Sequence, residues 1–145
     1  MFYRSAILTR YVFLIREISI LFSIKFIEPE LGEIQIDDFK ETFQTSLSYW
    51  RQGQYEQEWR SSVNRLKNGK NACFITSITD PLKSNFIWSW ECYPIKNEFV
   101  FQERIIFLEE LSNEFDEKDP HTHVHEYESI SENGEQISEW RTSEL

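Results

Sequence analysis

The stretch that decides the fold is FIWSWECYPIKNEFVFQERIIF, residues 86–107. Its first half repeats with a period of two, which places on one face Phe86, Trp88, Trp90 and Cys92. Such alternation is typical of a β-strand. We therefore predict strands over 86–93 and 98–110. The short link between them indicates that they are antiparallel neighbours.

The same period predicts further strands on the N-terminal side. One covers 72–78 and is closed by Asp80-Pro81. Three more are expected earlier in the chain: one through Phe22, Ile24 and Phe26, one through Ile34 and Ile36, and a long one from Phe39 to Tyr49. The spacing of apolar residues in the segment from Phe39 to Tyr49 would also fit a helix, but its threonine and serine content favours a strand.

One helix is predicted between these groups of strands. Apolar side chains step by four, four and three along one face, formed by Tyr55, Trp59, Val63 and Leu66. Asn68-Gly69 is a stop signal, since glycine adopts the left-handed conformation at low cost. We expect one amphipathic helix of about four turns. Trp50, just before it, is expected to form core around the helix with Tyr55 and Trp59, and to lie nearest the surface of the three.

The C-terminal third begins with an acidic loop, LSNEFDEKDP (111–120), which Phe115 is expected to hold against the core. HTHVHEYESI (121–130) and EQISEWRTS (135–143) follow, on either side of a turn. The pair Asn133-Gly134 is a strong hairpin signal. We therefore predict two paired strands here.

The formal charge of −10 is concentrated in this C-terminal third. Residues 1–100 hold 12 acidic and 12 basic side chains, whereas residues 101–145 hold 13 acidic and three basic ones. A nucleic-acid-binding protein needs the opposite sign, because its affinity comes from neutralising phosphates. The charge instead suits a basic partner, or a surface that only keeps the protein soluble.

All three histidines fall at alternate positions, 121, 123 and 125. On a strand, His121 and His125 would lie about 13 Å apart, so the three could not bind one zinc ion together. We interpret them as an exposed polar strand face. A metal site built on His121 and His123, with a third ligand from elsewhere, is the alternative.

Other catalytic signatures are absent from the sequence. No glycine belongs to a phosphate loop, and no G-x-S-x-G motif presents a serine. Cys73 and Cys92 lie in apolar runs and are expected to be reduced core thiols. Trp88 and Trp90 could form a stacking platform for single-stranded nucleic acid, but core packing is the preferred interpretation. We expect no enzyme activity and no cofactor.

The first twenty residues are apolar but interrupted by charged groups at Arg4, Arg10, Arg16 and Glu17. They therefore lack the uninterrupted apolar run of a membrane helix, and no small-residue cleavage site follows. We expect residues 1–20 to be an extension outside the domain, with Leu21 as an alternative initiator. A single domain is predicted over residues 21–145.

Several motifs together resemble one known family. They are SYWxxxxYxxxW (48–59), NFIWSW (85–90), VFQERIIFLEE (100–110) and ISEWRT (137–142). In this order they are similar to the immunity proteins of bacterial contact-dependent growth inhibition, in particular the group paired with a toxin domain that cleaves ribosomal RNA. The resemblance covers residues 21–145.

The resemblance implies an α+β fold, with two antiparallel sheets and one main helix, like that of the Whirly single-stranded-DNA-binding proteins. It also implies a cytoplasmic protein that binds a basic nuclease toxin domain and neither catalyses a reaction nor contacts nucleic acid or membrane. A single-stranded nucleic-acid-binding module of Whirly-like fold is the alternative function.

The toxin-binding surface is predicted within residues 109–140. An RNA-cleaving toxin presents a basic cleft, so an inhibitor gains association rate and specificity from negative charge. The predicted contacts are Glu109, Glu110, Glu114, Asp116, Glu117, Asp119, Glu126, Glu128 and Glu139, with Trp140 as an aromatic anchor. Charge reversal at Asp116, Glu117 and Asp119 is expected to slow association.

Overall fold

The structure, a computed structural model, describes residues 20–145. The predicted extension at residues 1–20 lies outside this part of the chain except for Ile20. The elements in chain order are β1 (Phe22–Glu28), β2 (Leu31–Ile36), β3 (Phe39–Gln44), α1 (Gln52–Lys67), β4 (Ala72–Ser77), β5 (Phe86–Ile95), β6 (Glu98–Phe107) and β7 (Trp140–Thr142). Single 3-10 turns occupy Leu108–Glu110 and Pro120–His123.

Strands β1, β2 and β3 form an antiparallel sheet in chain order. Asp37, at φ 56°, provides the left-handed residue of the tight turn between β2 and β3. Gly32 lies directly beneath the Phe43 ring, where an added Cβ would come within 2.3 Å of the ring. Any larger residue at this position would require the Phe43 ring to move.

The third strand ends at Gln44, so the prediction that it continues to Tyr49 was wrong. Thr45 leaves the sheet and donates its hydroxyl to the carbonyl of Thr76, at 2.8 Å. The next amide, that of Ser46, donates to the Ser77 hydroxyl at 3.1 Å. These contacts with β4 replace the pairing that a longer strand would have made.

Strands β4, β5, β6 and β7 form a second antiparallel sheet in that order. The antiparallel pair β5–β6 is confirmed, with Ile95 opposite Glu98 and Lys96 at φ 57° in the turn. Strand β6 stops at Phe107 and the chain continues as a 3-10 turn, so the prediction of a strand to residue 110 was three residues too long.

The two sheets pack face to face, which confirms the expected α+β class. The Phe22 ring stacks on Phe101 with ring centroids 5.1 Å apart. Phe39 lies against Trp140 at 4.4 Å and Trp90 at 6.1 Å. Aromatic packing of this kind adds to the hydrophobic gain from burial. The closer likeness to the Whirly fold stays a prediction.

The predicted amphipathic helix is confirmed as α1, and it covers the free edge of β4. The Trp59 indole donates to the carbonyl of Ile75 at 2.7 Å, and the Ser62 hydroxyl donates to that of Cys73. An uncovered edge strand invites pairing with another chain, and the helix prevents this. Gly69, at φ 79°, ends the helix where expected. Trp50, Tyr55 and Trp59 are buried as expected, and Trp50, at 4% exposed, is the most exposed of the three.

The predicted C-terminal hairpin is present only in part. Gly134 adopts φ 78° in the turn, as the Asn133-Gly134 signal indicated. Pairing on either side is limited to the single bridge between Ile130 and Gln136. Regular strand returns only at β7, and no strand exists over residues 121–130. The prediction of two long paired strands was therefore wrong.

Candidate functional site

The segment from residue 108 to 139, here called the acidic connection, joins β6 to β7 and carries most of the charge. It contains eleven carboxylates and one lysine. Its contacts with the sheet are made through Cys73, Glu91, Tyr93 and Gln102. Alternation along the strands places these residues opposite the aromatic face that packs on the first sheet. The acidic connection therefore covers the outer face of the four-stranded sheet.

His121 and His125 attach this connection to the sheet, and His123 makes contacts within the loop. The interpretation of the three histidines as an exposed strand face was therefore wrong. Pro120 starts a 3-10 turn that directs His121 inward, and its Nδ1 accepts the backbone N–H of Cys73 at 3.2 Å. His123 Nε2 accepts the N–H of Asp116 at 2.8 Å, and its ring stacks on Phe115. His123 and Phe115 thereby close the loop on itself.

His125 completes the attachment at a buried carboxylate. Its Nδ1 lies 2.6 Å from Oε1 of Glu91, a side chain with no exposed surface, and its backbone N–H donates to Oε2 at 3.2 Å. The Tyr93 hydroxyl lies within hydrogen-bond distance of both Glu91, at 2.7 Å, and the His125 carbonyl, at 2.9 Å. Within residues 20–145 no buried side-chain nitrogen or oxygen lacks a hydrogen-bond partner, and those of this group are no exception.

Protonation of His121 is opposed by its surroundings. Burial, and then the charge of Arg65, lower the pKa of His121 to about 4. The ring is therefore neutral at pH 7, which leaves Nδ1 free to accept the Cys73 N–H. Burial also lowers the pKa of His123. Protonation at low pH would remove the acceptor from both hydrogen bonds, that of His121 with the Cys73 N–H and that of His123 with the Asp116 N–H.

Glu58, Cys73 and His121 bring three potential metal ligands together. The Cys73 sulfur lies 3.8 Å from Glu58 Oε1 and 3.8 Å from His121 Nδ1. Glu58 Oε2 already accepts the N–H of Ile75 at 3.1 Å, just as His121 accepts that of Cys73. Glu58 and His121 thus provide hydrogen-bond acceptors for two backbone N–H groups on the free edge of β4. Within residues 20–145 no other such group of three occurs, and His123 does not belong to it.

Burial raises the pKa of Glu58 and that of Cys73 well above their ordinary values. The thiol is consequently protonated at neutral pH, and burial favours the neutral form of the carboxyl. The cluster is therefore a buried, hydrogen-bonded seal on the strand edge. The expectation of reduced core thiols is confirmed for both cysteines, which are free and buried.

An open depression of about 500 Å³ lies between helix α1 and the acidic connection, beside this cluster. Its lining includes Gln54, Gln57, Glu117 and Lys118. At its edge Glu117 accepts hydrogen bonds from the Tyr49 hydroxyl and the Trp50 indole, both at 2.6 Å. Glu117 thus ties the connection to the start of the helix.

The structure divides the predicted contact residues into two groups. Six are exposed, namely Glu109, Glu110, Glu114, Asp116, Glu126 and Glu128. Four are partly buried and have internal partners or packing: Glu117, Asp119, Glu139 and Trp140. Within the described part of the chain, none of the exposed six forms an ion pair. The first group is therefore available to a partner.

Several of the predicted contact residues also make contacts within the protein. Glu139 pairs with Arg141 at 2.8 Å and accepts the Tyr127 hydroxyl at 2.9 Å. The Trp140 ring packs between Phe39 and Trp90. Asp116, although exposed, accepts the N–H groups of Lys118 and Asp119. Charge reversal at 116 and 117 would therefore disturb the loop as well as the surface potential.

Sequence reasoning missed the two buried carboxylates. Glu58 lies between Tyr55 and Trp59 on the apolar face of the helix, and Glu91 lies between Ser89 and Tyr93 on one strand face. A charged residue at an inward position was the signal that could have revealed them. Such residues are seldom buried without a specific partner.

Part of the aromatic face was also assigned wrongly. Trp90 is 1% exposed, as core packing predicts, but Trp88 is 40% exposed. Phe86 and Phe107 accompany it at 42% and 46%. These three residues are called the aromatic patch below.

Comparison with known proteins identifies the family. A sequence model described as the CdiI N-terminal domain matches residues 45–144. The immunity protein CdiI of Enterobacter cloacae is 31% identical over 112 residues, which cover 77% of each protein. One chain of a solved structure described as the CdiA-CT/CdiI toxin and immunity complex from Enterobacter cloacae superposes with a TM-score of 0.71. That match has 29% sequence identity and covers 83% of this chain and 84% of the other. The motifs, the two-sheet fold and these matches agree, and the chain belongs to the CdiI family of contact-dependent growth inhibition immunity proteins.

Proposed function

We propose that this protein binds the C-terminal toxin domain of a CdiA protein and neutralises it without chemistry of its own. The observation that carries the proposal is the match, over most of both chains, to an immunity protein solved together with its toxin. The proposed site of action is the cytoplasm. Between residues 20 and 145, no helix is long and apolar enough to cross a membrane.

The proposed mechanism is electrostatic occlusion of a basic nuclease cleft. A toxin that cleaves RNA must attract phosphates, so its cleft carries positive charge. The exposed carboxylates of this protein carry the opposite charge, and those predicted as contacts all lie in the acidic connection. Complementary charge accelerates encounter and selects the partner. Occupation of the cleft by protein carboxylates would then exclude the RNA.

The attachments described above support this mechanism, because they order the acidic connection before any partner arrives. Gln102 donates to the carbonyl of Glu128 at 2.8 Å, and Glu91 holds His125. Loops that are ordered in advance lose less conformational entropy on binding. The exposed carboxylates are thus presented from a fixed surface instead of a flexible tail.

The test is protection of growing cells together with binding in solution. Cells expressing the toxin domain encoded immediately upstream of this gene should survive when they also express this protein. The two purified proteins should form a stable complex. A toxin domain from an unrelated system is the control, and it should neither bind nor be resisted. Growth arrest despite expression of this protein, with no complex formed, would refute the proposal.

Binding to a single-stranded oligonucleotide separates the alternative function from the proposed one. The exposed Trp88 is the observation that favours a nucleic-acid-binding module. The net charge of −10 opposes it. We expect no binding of a deoxythymidine oligonucleotide at physiological salt. Tight binding of the oligonucleotide without toxin protection would support the alternative.

A further inference from the structure

The inner face of the four-stranded sheet extends beyond the sheet that covers it. Trp90 and Phe101 are buried there, whereas the aromatic patch on the same face is 40–46% exposed. Phe86 pairs with Phe107 across β5 and β6, and the rings of Phe86 and Trp88 lie 5.6 Å apart, edge to face. Clustered exposed aromatic residues on a rigid sheet are characteristic of protein interaction sites.

Two carboxylates border this patch. Glu41 of β3, Glu103 of β6 and Trp88 line a depression of about 410 Å³. Burial, and then the charge of Glu41, raise the pKa of Glu103. Within residues 20–145 neither carboxylate pairs with a cation. The depression thus combines an exposed indole with uncompensated negative charge.

This chemistry fits a basic side chain. A lysine or arginine placed over a tryptophan ring is attracted by the ring face, and neighbouring carboxylates add to that attraction. Phe107 is followed directly by the 3-10 turn that carries the exposed Glu109 and Glu110, so the patch is continuous with the acidic connection.

We propose that the aromatic patch, together with Glu41 and Glu103, is a second contact surface for the toxin domain and receives a lysine or arginine of the toxin over Trp88. This inference rests on the proposed function and places the aromatic anchor of the complex at Trp88, not at Trp140. Trp140 packs inside the protein, whereas Trp88 presents its ring to the surface. Single-stranded nucleic acid fits less well, because its stacking platforms lie in basic grooves.

Affinity measurements on the full chain test the proposal. The Kd for the toxin domain encoded beside the gene is measured by calorimetry. Trp88→Ala should weaken binding by about tenfold or more, because buried aromatic anchors dominate interfaces. The double variant E41Q/E103Q should weaken it by about three- to tenfold. Ile27→Ala removes an apolar side chain of similar exposure, 45%, from β1 and should change the Kd by less than about twofold.

Oxidative footprinting provides a readout that does not depend on any variant. Hydroxyl radicals should oxidise Trp88 in the free protein, and bound toxin should protect it. Trp90, which is already buried, is the internal control and should be protected in both states. Protection of Trp88 in the free chain would overturn the proposal, because it would show that the protein itself covers the ring.

The remaining outcomes separate the two proposals. Two results together would refute the contact surface but not the proposed function: Trp88→Ala binds the toxin normally, and Trp88 of the unmodified protein is still oxidised when the toxin is bound. Failure of the unmodified protein to bind the toxin would refute both. Self-association of the free protein, or oligonucleotide binding, that Trp88→Ala abolishes would assign the patch to a different partner and overturn the inference.

Discussion

The sheets and the acidic connection are held in place by different chemistry. Contacts between the sheets are apolar, as where Phe22 stacks on Phe101. The connection is attached largely through polar groups, including His121 on Cys73 and His125 on Glu91. Apolar burial is insensitive to pH, whereas histidine and carboxylate contacts depend on their protonation. The fold and its charged surface should therefore respond differently to mutation and to acid.

The largest effect is expected in the apolar interface. Phe101→Ala removes a fully buried ring and should lower the free energy of unfolding by about 3–5 kcal/mol. Phe107→Ala, on the same strand but 46% exposed, should lower it by less than about 1 kcal/mol. Urea denaturation measures both values. Similar losses for the two variants would show that burial does not separate the aromatic patch from the core.

The next effect concerns the buried carboxylate that holds the connection. Glu91→Ala leaves the N–H groups of His125 without their acceptor, and leaves the Tyr93 hydroxyl with only the His125 carbonyl. We expect a loss of about 2–4 kcal/mol in unfolding free energy, because buried donors would lack partners. Glu91→Gln, which keeps one acceptor oxygen, should lose less.

Hydrogen exchange locates that loss. In Glu91→Ala, amides of residues 120–128 should exchange faster, while those of β5 and β6 keep most of their protection. Equal acceleration throughout the chain would contradict the separation between the sheets and the connection.

A smaller, pH-dependent effect is expected at His121. Its folded pKa of about 4 lies below the ordinary value of 6.5. The unfolded chain therefore binds a proton that the folded chain refuses between these pH values, and this group's contribution to stability falls as pH decreases from 6.5 to 4. The loss amounts to roughly 2–3 kcal/mol.

His121→Asn isolates this contribution, since asparagine can accept the Cys73 N–H but does not titrate. The raised pKa of Glu58 acts in the opposite direction, because its stabilising effect is lost as pH rises. The informative quantity is therefore the difference in unfolding free energy between the unmodified protein and the variant. That difference should shrink as pH falls from 7 to 4. A constant difference would contradict the lowered pKa.

The regular elements could be predicted because local pattern and tertiary role coincide. The alternation through Trp90 and the four-residue spacing from Tyr55 to Trp59 each specify a buried face, and both elements formed as expected. The family motifs lie in these same elements. The family, the two sheets and the helix were consequently accessible from sequence.

The acidic connection could not be predicted in this way. HTHVH alternates as a strand would, but its histidines have separate polar partners at Cys73, Asp116 and Glu91. Cys73 and Glu91 lie in strands that are distant in sequence. Exposure of Trp88 depends on how far the opposing sheet reaches, which no local pattern encodes. Both errors arise because contacts between distant parts of the chain, not the local pattern, decide the structure at these residues.

The smallest effect on stability is expected at the exposed carboxylates. Glu114→Lys with Glu126→Lys should change the free energy of unfolding by no more than about 0.5 kcal/mol, because neither side chain has an internal ionic partner within residues 20–145. Glu30→Lys with Glu56→Lys makes the same charge change at exposed sites on the β1–β2 turn and the helix. The two pairs are thus matched in charge and differ in place.

The association rate with the cognate toxin domain, measured from low to physiological salt for these two double variants, tests the central claim most directly. For the unmodified protein we expect the rate to fall by about tenfold or more as salt screens the attraction. The pair at 114 and 126 should associate more slowly and with a flatter salt dependence than the pair at 30 and 56. Equal rates for the two pairs, or a rate of the unmodified protein that salt does not change, would contradict the account.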